Sequence, residues 1–90
     1  MDVFLAPLGD AALRHAGSLA RELRQAEFSV EVLAGGKLKR AMELANKLGA
    51  RYALILGDDE IAAGEYSLKN MKSGEQCRVA RADLASSLVD

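Results

Sequence analysis

The 90-residue chain has one cysteine, one proline, one histidine and no tryptophan, and each scarcity removes a class of protein. A lone Cys77 cannot close an internal disulfide, which suits a reducing cytoplasm and leaves the fold to apolar burial. With His15 as its one imidazole, the chain has no second histidine for a metal shell, and it reads as a surface residue. No apolar run approaches the ~18 residues that a membrane helix requires, so no membrane partner is expected. Met1-Asp2 leads directly into the strand-like Val3-Phe4-Leu5-Ala6, so no secretory leader is expected either, and the location is read as cytoplasmic. Nor does one sign of charge dominate. The 12 basic residues meet 13 acidic ones for a net charge of −1, which argues against gripping nucleic acid by bulk electrostatics.

What is present is 50% hydrophobic and 28% charged, the composition of one globular domain with a single core. Its organising stretch is Arg51-Tyr52-Ala53-Leu54-Ile55-Leu56-Gly57-Asp58-Asp59-Glu60. A short run that is apolar at every position and bounded by turn residues predicts a strand covered on both faces, at the centre of a parallel sheet. Gly57 to Glu60 then form the C-terminal lip of that strand, and in open α/β sheets the ligand crevice lies outside such a lip. Charge is arranged around it. Residues 37–51 carry Lys37, Lys39, Arg40, Lys47 and Arg51 against Glu43; residues 58–65 carry Asp58, Asp59, Glu60 and Glu65; then come Lys69, Lys72, Arg78 and Arg81 against Glu75. An acidic lip between basic segments suits reading a base edge while neutralising phosphates, although solvated faces of mixed charge would look the same.

In chain order, residues 3–6 predict a first strand ending at Pro7-Leu8-Gly9. A helix follows from Asp10 to about Ala26, with Ala12, Leu13, Ala16, Leu19, Ala20 and Leu23 at the helical period. Residues 28–33 alternate as an edge strand broken at residues 34–36. From Lys37 a second helix places Leu38, Ala41, Met42, Ala45 and Leu48 on one face and ends at Gly49, a suitable C′ residue. After the central strand come a short helical turn at residues 59–63, a hairpin of residues 65–71 and 76–80, and a closing helix from Arg81 with Asp83 in its first turn. Right-handed crossovers make the first three strands parallel, and the fourth must return antiparallel. The expected fold is α/β: a three-layer α/β/α sandwich with a five-stranded mixed sheet in the order 2-1-3-4-5.

Catalytic chemistry is thin. Cys77 alternates toward the core and reads as a buried small hydrophobe. Gly35-Gly36-Lys37-Leu38 lacks the spacing and the hydroxyl residue of a phosphate loop. Asp58 and Asp59 are adjacent in a turn, with no further ligand spaced to complete a metal shell.

Three segments carry a resemblance: Val3-Phe4-Leu5-Ala6-Pro7-Leu8-Gly9, Leu19-Ala20-Arg21-Glu22-Leu23-Arg24 and Gly36-Lys37-Leu38-Lys39-Arg40-Ala41. Together with Ala45-Asn46-Lys47-Leu48-Gly49-Ala50-Arg51-Tyr52 and the apolar strand after it, they resemble the C-terminal anticodon-binding domain of class IIa aminoacyl-tRNA synthetases. Tyr66-Ser67-Leu68-Lys69-Asn70-Met71-Lys72-Ser73-Gly74-Glu75-Gln76 makes it similar to the histidyl-tRNA synthetase version. Asn70 departs from the aspartate common there, and Leu33-Ala34 from the acidic end of the second strand.

The resemblance implies that residues 1–90 are an anticodon-binding domain cut from a longer synthetase chain, itself non-catalytic. It implies no cofactor here, with ATP and Mg belonging to a catalytic domain that also makes a homodimer in the full-length enzyme. The partners implied are the histidine tRNA anticodon loop and that catalytic domain. Glu60 is expected to accept hydrogen bonds from the edge of a splayed base, beside Gly57 and Asp59, as a carboxylate suits guanine or cytosine donors. Lys69 is expected to reach a base or phosphate, and Pro7 and Gly9 to allow close backbone approach. Lys37, Lys39 and Arg40 at the second helix's start would position phosphates. Tyr52 and Tyr66 could stack on bases, though core packing is the stronger reading. The alternative is a domain of the same fold used for protein contacts.

Overall fold

In the computed structural model, which describes residues 2–33 and 37–88, the chain is built around β3 (Tyr52–Leu56). Ala53, Leu54, Ile55 and Leu56 are all buried, because neighbouring strands flank β3 and the sheet presents both faces to packing. β1 (Val3–Pro7) lies parallel beside it, and β2 (Val30–Val32) lies parallel beyond β1. β4 (Glu65–Asn70) runs antiparallel on the other side and β5 (Gln76–Ala80) closes that edge. The sheet order is β2-β1-β3-β4-β5, the arrangement that two right-handed crossovers and a hairpin require.

Strand alternation sorts the core into two layers. Val3, Leu5, Leu54, Leu56, Tyr66, Leu68 and Val79 face α1 (Asp10–Gln25) and α4 (Leu84–Leu88). Phe4, Ala6 and Ala53 face α2 (Leu38–Lys47), which buries only Ala41 and Ala45. Apart from Phe4, the buried residues on both sides of this layer are alanines, so it holds less apolar volume than the α1 side. The predicted apolar face of α2 is therefore narrower than expected: Leu38 and Leu48, at its two ends, are exposed.

Both crossover helices end in a Schellman motif. In α2, Ala50 N–H donates to Ala45 O and Gly49 N–H to Asn46 O, with Gly49 at φ +73°. In α1, Phe28 N–H donates to Leu23 O and Glu27 N–H to Arg24 O, so Glu27 takes the left-handed position at φ +71°. That cap occupies Phe28, which is why β2 begins at Val30 and not at residue 28.

Two further differences have local causes. The closing segment starts as a 3-10 turn (Arg81–Asp83) before α4 begins at Leu84. Cys77 is exposed and not buried. It does point to the α1 side, opposite Leu68, but no helix covers the β5 edge there. An open hollow of about 340 Å³ remains, lined by Tyr52, Leu68, Cys77, Val79 and Ser87. The predicted break at residues 34–36 and the last predicted helical residue, Val89, lie outside the described residues.

Candidate nucleic-acid interface

The parallel strands end together at one rim. Pro7 pairs with Leu56, and Leu8 N–H donates to Leu56 O at 2.8 Å, so the turn after β1 lies directly beside Gly57. Pro7 and Gly57 are buried and offer backbone only. Gly9 is exposed at φ +118°, a conformation that a residue with a Cβ rarely adopts, and it caps α1 with no side chain between backbone and solvent.

Immediately after Gly57, α3 (Asp58–Ala63) starts, anchored by the half-buried Ile61 on the α1-side core. One turn of helix carries Glu60 back over the lip. Its Oε2 lies 2.6 Å from where a Cβ on Gly57 would stand. The glycine thus leaves room for the carboxylate, which is half-buried and enters no ion pair among the described residues. Asp58 and Asp59 are exposed beside it. Among the described residues no three histidine, cysteine, aspartate or glutamate side chains are grouped to hold a metal ion.

The crossover topology brings the N-termini of α1, α2 and α3 to this same rim. Their charges differ. α3 has Asp58, Asp59 and Glu60 in its first turn, which offset the positive end of the helix dipole. α2 has no acid in its first turn and no side-chain cap at Lys37, and it adds exposed Lys39 and Arg40 to the same positive end. Acidic and cationic ends therefore share one rim, the first with Glu60 and the second with Lys37, Lys39 and Arg40.

Lys69 is not at the lip. It pairs with Ala53, four residues before Gly57, so it stands roughly 13 Å along the strand from it. It lies on the α2 side of the sheet, on the half that α2 leaves uncovered. Ser67, opposite Ile55 in β3 and opposite Arg78 in β5, lies nearer the rim. The sequence offered Arg78 only as one cation of the downstream basic segment and did not single out Ser67, because only the hairpin register puts them in line with the central strand.

The tyrosines are on the other face. Tyr66 is buried and shares a hydrogen bond with His15 Nε2, and Tyr52 packs half-buried on the α1-side core with the Arg51 guanidinium over its ring. Core packing is their role. His15 is accordingly a half-buried partner of Tyr66. Burial lowers its pKa, and the Arg81 charge lowers it further. Arg81 is bound to Glu22 at 2.7 Å, which raises the guanidinium's pKa. Of the downstream cations, Arg81 is thus committed to the far side of the sheet.

The sheet order and crossovers define an α/β domain of the open mixed-sheet class, and the chain matches the family model described as "Anticodon binding domain" over residues 2–90. The chain belongs to that family. It is 61% identical to the histidine--tRNA ligase of Solibacter usitatus, over 98% of this chain and 21% of the relative, and 46% identical to that of Acetivibrio thermocellus, over 97% and 21%. Among solved structures it superposes on histidyl-tRNA synthetase from a Nostoc species with TM-score 0.91 and 35% identity, covering 97% of this chain and 21% of that one. Apo histidyl-tRNA synthetase of S. aureus gives TM-score 0.90 at 29% identity, covering 98% and 26%. The chain therefore spans about one fifth of the length of the curated relatives it matches.

Proposed function

We propose that the chain recognises the anticodon loop of histidine tRNA as the anticodon-binding part of a histidine--tRNA ligase. The observation that carries this reading is Glu60. Its carboxylate is held over Gly57 next to the Leu8-Gly9 turn, half-buried yet without a cationic partner among the described residues. A partly desolvated acceptor of that kind suits the N–H groups on the edge of an unpaired guanine or cytosine. Asp59 adds negative potential at the lip, and the exposed backbone at Gly9 lets a nucleotide approach closely. Gly57 and the buried Pro7 shape the floor.

Lys37, Lys39 and Arg40, on the open end of α2, position phosphates and carry no sequence information. Lys69 meets a neighbouring nucleotide on the uncovered half of the sheet. In the whole enzyme, histidine activation with ATP and Mg takes place in a separate catalytic domain, which also forms the homodimer, and the enzyme works in the cytoplasm. The relatives above are all named as ligases or synthetases, and none supports the alternative of a protein-contact module.

The test is binding of a histidine tRNA anticodon stem-loop and of base-substituted loops. Glu60→Ala should weaken binding to the matching loop by about 1–3 kcal/mol and leave the substituted loops nearly unchanged. Equal weakening for every loop would contradict a reading role.

A further inference from the structure

The uncovered half of the sheet carries a cation that neither the rim nor the core uses. Val79 points into the α1-side core, so Arg78 must point to the α2 side, where α2 does not reach β4 and β5. There it lies opposite Ser67, which lies opposite Ile55 of β3, two residues before Gly57. Arg78 is exposed and makes no ion pair or hydrogen bond among the described residues. With Lys69 on the same face, one strand over and two pairs further from the rim, it continues the positive charge away from the acidic lip.

Resting on the reading above, we propose that Arg78 is a positioning residue for the anticodon loop: it binds a backbone phosphate of the nucleotides that leave the lip across β4 and β5. Charge complementarity selects the occupant, since beyond Glu65 at the rim end of β4 the polar floor of Ser67 and the two cations Lys69 and Arg78 suit a polyanion lying flat. Phosphate is selected over a base edge because Arg78 is exposed on the outermost strand with no neighbour fixing its guanidinium, whereas base reading needs a fixed donor geometry. Glu60 and Arg78 thus divide the work between sequence and register.

The experiment measures binding of the stem-loop to the 90-residue chain across a salt series, for wild type, Arg78→Gln, Arg78→Lys and Arg21→Gln. Arg21 is exposed on α1, on the other side of the sheet, so it controls for net charge. Arg78→Gln should weaken matching and substituted loops equally, about three- to ten-fold at moderate salt, and flatten the log–log salt slope by about 0.7. Arg78→Lys should retain most of the affinity, and Arg21→Gln should match wild type. Equal losses in Arg78→Gln and Arg21→Gln would reduce the effect to bulk charge and overturn the proposal. A loss confined to the matching loop would make Arg78 a base reader and overturn it too. Wild-type binding with unchanged Arg78→Gln refutes this inference alone, whereas no wild-type binding refutes the anticodon reading with it.

Discussion

Glu27 and Gly57 show how single residues set this domain's stability and its chemistry separately. Glu27 holds the left-handed C′ position of α1 at φ +71°, where a side chain is strained and glycine is not. Glu27→Gly should raise the unfolding free energy by about 0.5–1 kcal/mol, the relief of strain less the extra chain entropy of glycine; urea denaturation measures it. Gly57 has an ordinary extended backbone, φ −108°, so its requirement is space alone. In Gly57→Ala the flexible end of Glu60 must move, since Oε2 stands 2.6 Å from the new methyl position. Stability should change by less than about 0.5 kcal/mol, while affinity for the matching loop falls as in Glu60→Ala. A large loss of stability with unchanged affinity would show that the carboxylate's position over Gly57 is irrelevant to binding. Glu60 was legible from the sequence as a carboxylate on a strand lip, but its fold-back over Gly57 was not, because that depends on the helical turn starting at Asp58. Cys77 was misread for a related reason: alternation gives the face a side chain points to, not whether anything covers that face.

Of the two crossover helices, α2 has the less favourable start and the thinner packing. Its first turn places Lys39 and Arg40 on the positive dipole end and lacks an acid, and only Ala41 and Ala45 are buried. Lys39→Glu should stabilise the domain by about 0.3–1 kcal/mol and weaken stem-loop binding for all loop sequences alike, read by thermal melting and by titration. Stabilisation without loss of binding would remove this helix from the RNA surface. The order of elements was readable throughout, because apolar runs and helical spacing alternate cleanly and glycine or the single proline marks most boundaries. Boundaries failed where tertiary capping intervened, as at Phe28, or where small core residues left helix ends such as Leu38 and Leu48 exposed. The hairpin departure at Asn70 cost nothing structurally: its Oδ1 accepts from Lys72 N–H at 2.9 Å and Ser73 N–H at 3.1 Å, as an aspartate would.

Across the whole molecule the two faces of the sheet differ in packing and charge. The α1 side carries the larger core layer and is open at the hollow beside Cys77; the His15–Tyr66 and Arg81–Glu22 contacts tie α1 to β4 and to the closing turn. Folding holds His15 below its ordinary pKa of 6.5, chiefly through burial. The unfolded chain therefore binds the proton more readily, so this contribution is complete above about pH 6.5 and is lost as pH falls through the folded value. Denaturant unfolding near neutral pH and at about pH 5 should show a drop that His15→Gln reduces. An equal drop in both proteins would mean that other groups govern it. The α2 side is open over β4 and β5 and carries Lys69 and Arg78 beyond an acidic rim, and it is the face proposed to take the anticodon loop. The topology that creates this division was readable from crossover handedness, but the alignment of Ser67 and Arg78 with the rim needed the observed register.

The most direct test maps backbone amide shifts while the histidine tRNA anticodon stem-loop is titrated into the domain at low salt. Shifts should concentrate at Gly9, Gly57 to Glu60, the first turn of α2, Ser67, Lys69 and Arg78, with the outer face of α1 silent. Absence of binding, or shifts centred on α1 and α4, would contradict the account.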